Sequence, residues 1–140
     1  MKFIHGGNRR RLAVLSAGAA VTAIAAVGAA GGSAEPAQRV VTASKVTISI
    51  SLPLYHGKVQ SDFDECAQHR RVTLYRVRPG DDKVLGKDRT NSQRRWRVNP
   101  GNVAPGQKFY AKVRNVEVSS VGTGLSCVKD RSRTVTFVGG

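Results

Sequence analysis

The stretch SDFDECAQHRR, Ser61 to Arg71, gathers three carboxylates, a thiol and an imidazole in a chain that is otherwise strongly basic. Asp62, Asp64, Glu65 and His69 are residue types that ligate a hard cation, and an oxygen-rich set of this kind suits calcium. The same stretch offers an acid–base pair, His69 with Asp62 or Asp64, which is the least that a hydrolase requires. The spacing favours neither chemistry. A calcium-binding loop needs a glycine at its turn and a distal glutamate, and both are missing. No Gly-x-Ser-x-Gly elbow, HExxH pair or glycine-rich phosphate loop occurs elsewhere in the chain. A plainer account fits the same residues. Asp62 followed by Glu65 matches a capping box for one short helical turn, and Arg70 and Arg71 stand by to neutralise the carboxylates. The expectation is a protein without catalytic residues or cofactor. Asp62, Asp64, Glu65 and His69 remain as minor metal-ligand candidates, and no metal is assigned.

Cys66, in the middle of the stretch, has one possible partner, Cys127. A lone pair of cysteines without CxxC spacing makes a poor zinc or redox site but an ordinary disulfide, provided the chain leaves the cytoplasm. Its N-terminus reads as an export signal. Arg9, Arg10 and Arg11 precede an uncharged Ala/Val/Gly-rich run, Leu12 to Ala30, and small residues at Gly32, Ser33 and Ala34 offer a cleavage site. The reading is a helical signal peptide over residues 1–34, a flexible linker over 35–44 and a folded domain over 45–140. The run is close to the ~20 residues that a spanning helix needs, so an uncleaved anchor is the alternative and the membrane is a partner only in that case. The arginines leave the choice between general and twin-arginine export open. A Cys66–Cys127 bridge would close a loop of about 60 residues, for which chain entropy gives roughly 4 kcal/mol of stabilisation.

Charge narrows the partners. The whole chain carries +14, and residues 1–34 hold four of its 23 basic residues and none of its nine acidic ones, which leaves +10 for the rest. Such a balance favours polyanions such as nucleic acid, envelope phosphate polymers or sulfated glycans, through a field that salt screens. Another exported protein is an equally open class of partner.

The elements that must position these residues are strands. Val46, Ile48, Ile50 and Leu52 alternate with Thr47, Ser49 and Ser51 over Lys45–Leu52. Tyr55–Ser61 is a second candidate, with Gly57 marking a bulge or a close backbone approach. In Arg71–Arg78, Val72 and Leu74 are assigned to the core, and Pro79-Gly80-Asp81-Asp82 turns the chain into Lys83–Thr90. Arg94–Val98 puts Trp96 and Val98 on one side, and Lys108–Val116 alternates Phe109, Ala111 and Val113 with Tyr110, Lys112 and Arg114. A Ser/Gly-rich loop then leads to Cys127 and a last strand over Arg133–Val138. About seven short strands separated by turn signals predict an all-β, antiparallel seven-stranded sandwich of the immunoglobulin or prealbumin kind. Its expected core is Val46, Ile48, Ile50, Val72, Leu74, Trp96, Val113, Val135 and Phe137. If Arg94–Val98 pairs with Lys108–Val116, then Arg95, Arg97, Lys112 and Arg114 share a solvent face with Tyr110. That cationic strip carrying one aromatic is the candidate polyanion site.

The order of elements is also familiar. Tyr55-x-Gly57-x-Val59-x-Ser61, Cys66, Arg71-Val72-x-Leu74, Thr90-Asn91 before Arg94-Arg95-Trp96, and Pro105-Gly106-x-x-Phe109-Tyr110-Ala111-x-Val113 before Cys127 resemble small exported proteins of high-GC bacteria. Their domain looks like the transthyretin-like, carboxypeptidase-regulatory β-sandwiches. Arg94 and Arg95 occupy the place where such domains often carry a glycine. The resemblance implies a non-catalytic accessory or interaction module of the cell envelope or extracellular space, with no functional residues to carry over.

Overall fold

A computed structural model describes residues 38–120 and 122–139, all within one unit, Glu35–Gly140. The export signal predicted over residues 1–34, with its helix and cleavage site, lies outside the described residues. The elements run β1 (Arg39–Thr42), β2 (Lys45–Val46), β3 (Ser49–Ser51), β4 (Leu54–Gln60), one 3₁₀ turn (Asp64–Cys66), β5 (Arg71–Arg76) and β6 (Lys83–Arg89). They continue with β7 (Arg95–Val98), β8 (Lys108–Val113), β9 (Val116–Ser120), β10 (Thr123–Cys127), β11 (Asp130–Arg131) and β12 (Val135–Thr136). The described residues are all-β, and among them no helix is long and apolar enough to cross a membrane.

Three sheets form. One has the order β11–β8–β5–β6, with β12 also paired to β8. A second is built on β4, with β2 and β3 along one edge and β7 paired over Tyr55–Lys58. The period-2 alternation sends one parity of each sheet into a shared core. Val72 and Leu74 of β5 and Phe109, Ala111 and Val113 of β8 meet Val46, Ile48, Tyr55, Val59, Trp96 and Val98 from the β4 sheet. Tyr55 and Phe109 touch with ring centroids 4.7 Å apart. Each large apolar side chain buried this way contributes about 1.5–3 kcal/mol. Ile50, Val135 and Phe137, expected fully inside, are partly buried against this cluster.

The third sheet, β1–β10–β9, departs from expectation. Its β9–β10 hairpin occupies the stretch read as a loop: Val118 pairs with Leu125 and Val116 with Cys127, while Gly122 takes φ +76° at the turn. The stretch read as a flexible linker supplies β1, which pairs in parallel with β10 from Arg39↔Gly124 to Thr42↔Cys127. Small and polar composition hid both, because a short edge strand needs a backbone partner rather than an apolar face. The strand count is therefore twelve among the described residues, against about seven expected.

Cys66 and Cys127 form the disulfide, with Cα atoms 5.3 Å apart, and it ties the 3₁₀ turn to β10. Beside it lies Arg70, 5 % exposed. Its guanidinium donates to Ser44 Oγ (3.1 Å) and Cys66 O (2.7 Å) through Nη1, and to Arg114 O (2.6 Å) through Nη2. Burial pulls its pKa down, and these oxygens supply the solvation that water would otherwise give.

Candidate anion-binding surface

The stretch that drew attention first is divided among several tasks. Its helical turn begins at Asp64, and the residue before it, Phe63, makes no side-chain cap, so the predicted capping box between Asp62 and Glu65 does not form. The Asp64 carboxylate pairs with the Arg94 guanidinium. Among the described residues no three His, Cys, Asp or Glu side chains are grouped to hold a metal ion, so Asp62, Asp64, Glu65 and His69 are not brought together as ligands. Cys66 is in the disulfide, and His69 sits at φ +53°, its N–H donating to Thr90 O at 2.9 Å.

The predicted cationic strip is split. β7 pairs with β4, not with β8, so Arg95 lies opposite Lys58 and Arg97 opposite His56 in one sheet. Lys112 lies opposite Thr73 and Arg131 in another. The reason is packing at Gly57. Trp96 stands across from it, and the indole Nε1 donates to Thr47 O at 3.2 Å through the space a side chain would fill. The connection over residues 99–107 is longer than a hairpin loop and carries the chain from one layer to the other. Arg114 lies just past β8, exposed, with its carbonyl accepting from Arg70.

A different cationic face takes the strip's place. On β5, β6, β8 and β11 the inward parity is set by Val72, Leu74, Ala111 and Val113. The opposite parity forms cross-strand rows: Lys87, Thr73, Lys112 and Arg131 in one, Arg89 and Arg71 in the next. With strands about 4.8 Å apart and alternate residues about 6.8 Å apart, five cations fall within a patch of about 14 by 7 Å. All five are exposed, and no salt bridge among the described residues involves them. The acids on these strands have the other parity. Asp130 Oδ2 accepts from Val46 N (2.6 Å) and Asp88 Oδ2 from Arg97 N (2.7 Å), so both are used to join the two sheets. Arg71 directly opposite Arg89 is a like-charge pair that costs stability, about 0.2–1 kcal/mol.

Tyr110 belongs to this face but is not available for stacking. It is 6 % exposed, parallel to Tyr75 at 5.0 Å, and covered by the Arg131 guanidinium at 3.7 Å from its ring centroid. Its hydroxyl donates to Asp82 Oδ2 at 2.7 Å. Burial and the Asp82 carboxylate push its pKa up to about 12, while the same hydrogen bond holds Asp82 below the usual carboxylate range. The pair fixes Arg131 in the row rather than offering a free ring to a ligand. Of the strip read from the sequence, only Tyr110 and Lys112 are in this face. Arg71, Lys87, Arg89 and Arg131 were missed because strand pairing, not spacing along the chain, makes them neighbours.

No protein-family profile matches the chain, and no curated protein matches it. A pectate lyase, PelI from Erwinia chrysanthemi, solved in complex with tetragalacturonic acid, aligns at 14 % identity and a TM-score of 0.32. The alignment covers 66 % of this chain and 26 % of that one, so the chain spans about a quarter of the lyase's length. Likeness at this level carries no argument about fold or activity.

Proposed function

We propose that this chain is an exported, non-catalytic β-sandwich module of the cell envelope or extracellular space, and that its cationic sheet face binds a polyanion. One observation carries the reading: Arg71, Lys87, Arg89, Lys112 and Arg131 share the outward face of these four strands, while Asp88 and Asp130 take the other parity. Random surface charge would mix the signs on one face. The disulfide fits an oxidising compartment, and the resemblance to transthyretin-like exported domains points the same way. With Tyr110 covered by Arg131, recognition is of backbone charge rather than of bases or rings, so phosphate and sulfate polymers are expected to compete with one another.

The test is binding to single-stranded DNA, used as a polyanion of known charge density, over a range of salt. Affinity is expected to fall steeply with salt, and the slope of log K against log [salt] to shrink by about 2 in Arg71→Ser/Lys87→Ser/Lys112→Ser. Binding that ignores salt, or a triple variant with an unchanged slope, overturns the proposal. Intact mass of the exported protein checks its compartment: loss of residues 1–34 and of two thiol protons is expected.

A further inference from the structure

The other half of the divided strip lines a groove. Where the end of β6 meets the outward face of the β3–β4–β7 strands there is a cavity of about 460 Å³, within the range of sites that hold sugar-sized ligands. Three guanidinium side chains line it, Arg89, Arg95 and Arg97, together with the single carboxylate Asp88. That carboxylate already accepts the Arg97 backbone N–H, and none of the three arginines is in a salt bridge among the described residues. The arginines therefore outnumber the acid by two charges in a concave space, where low-dielectric walls strengthen the field.

The rest of the lining is uncharged: Leu54, Gly57 and Trp96 add apolar surface, and the other groups are suited to hydroxyls. Asn91 and Gln93 present amides, and His56 Nε2 lies 3.0 Å from Ser51 Oγ. These groups are held by rigid backbone. His56 and Arg97 are direct cross-strand partners. Asn91 Oδ1 accepts from both Gln93 N (3.0 Å) and Arg95 N (2.9 Å), which locks the β6–β7 turn. Forked guanidinium donors match the paired oxygens of a phosphate or sulfate, and amides with a hydroxyl and an imidazole match a polyol.

We infer that this groove is a binding site for a sugar unit bearing a phosphate or sulfate ester. The ester sits against Arg95 and Arg97, and the sugar hydroxyls face Asn91, Gln93 and the Ser51–His56 pair. The site shares Arg89 with the edge of the cationic sheet face, but the ester contacts assigned to Arg95 and Arg97 do not depend on that face.

The chain has three histidines, and two of them report directly. His56 lines the groove, whereas His69 lines another cavity beside the 3₁₀ turn. Imidazole NMR resonances of the purified, oxidised protein are followed during titration with glucose 6-phosphate and glucose 6-sulfate. Glucose, inorganic phosphate and sodium chloride at matched ionic strength serve as controls. The expected result is a saturable shift of His56 but not His69, with at least one ester binding about fivefold or more tighter than inorganic phosphate and than glucose. Whichever ester binds tighter identifies the source. Arg95→Ser/Arg97→Ser is expected to weaken that response about tenfold, with the His69 resonance unmoved as a check on folding. Arg71→Ser/Lys87→Ser/Lys112→Ser is expected to leave it intact. Equal shifts at the two histidines, esters no tighter than inorganic phosphate, or an unchanged response in the Arg95/Arg97 variant overturns the inference.

Discussion

Gly57→Ala is the most exacting perturbation of the fold. A Cβ at this position would lie 2.0 Å from Thr47 O, 2.7 Å from Thr47 C and 2.9 Å from Trp96 Nε1. The obstacle is mainly backbone, in a segment fixed by Thr47 N donating to Lys58 O at 2.9 Å and Lys58 N donating to Thr47 Oγ1 at 2.9 Å. It cannot rotate away as a flexible side chain would. Accommodating the methyl group means separating Thr47 from Trp96 and giving up the indole bond, which leaves a buried donor without its acceptor at a cost of about 1–3 kcal/mol. Shifting packed backbone adds about 1–3 kcal/mol more. A total of about 2–6 kcal/mol corresponds to a fall in Tm of roughly 8–48 °C for a domain near 100 residues. Gly124→Ala is the control: it makes the same substitution in a strand where nothing lies within 4 Å of the new Cβ, and it is expected to be neutral or slightly stabilising. Thermal and urea denaturation of the oxidised protein read both. If Gly57→Ala costs less than about 1 kcal/mol, or no more than Gly124→Ala, the close approach does not set the β4–β7 pairing as argued.

Three other outcomes test single features. The Tyr55 hydroxyl is buried without a hydrogen-bond partner among the described residues, and burial pushes its pKa up, so Tyr55→Phe is expected to raise stability by about 1 kcal/mol in urea denaturation. Arg94 holds φ +63° in the turn before β7, where glycine is at ease. Both Arg94→Gly and Arg94→Ala lose the ion pair to Asp64, and the glycine variant is expected to be the more stable by about 1 kcal/mol. Tyr110 keeps its proton to about pH 12, whereas an unperturbed tyrosine releases it at 10.0. Stability is therefore expected to be full below pH 10 and to fall as pH rises between these values, by up to about 2 kcal/mol. Asp82 works in the opposite direction, because its pKa is depressed: its contribution is present above the ordinary carboxylate pKa and is lost as pH falls through the folded value. Ultraviolet tyrosinate titration of Asp82→Asn against the parent checks the pair, and Tyr110 is expected to ionise at lower pH in the variant.

Several readings carried by a residue's own neighbours in sequence agree with the structure, though the local Asp62–Glu65 capping box does not form. Alternation placed Val72, Leu74, Trp96 and Val113 inside, the lone pair of cysteines announced the Cys66–Cys127 bridge, and Gly57 marked a close backbone approach. The turn between β6 and β7 is closed by Asn91 N donating to Arg95 O at 3.0 Å. These are local properties, because strand period, turn chemistry and thiol count act within a few residues or through one covalent bond.

Long-range pairing was decided elsewhere. Arg95, Arg97, Lys112 and Arg114 have the same outward parity whichever strands pair, so their spacing does not say whether they form one face or two. The choice rests on Trp96 finding the gap at Gly57 and on Val72 and Leu74 meeting Ala111 and Val113, contacts between residues far apart in the chain. Those contacts divided one expected strip between a cationic sheet face and a groove that share Arg89. Composition and periodicity determined an all-β chain with its apolar residues inside and its cations outside. Tertiary structure alone decided which cations stand together, since a sheet makes neighbours by hydrogen-bonding strands side by side and not by their order in sequence.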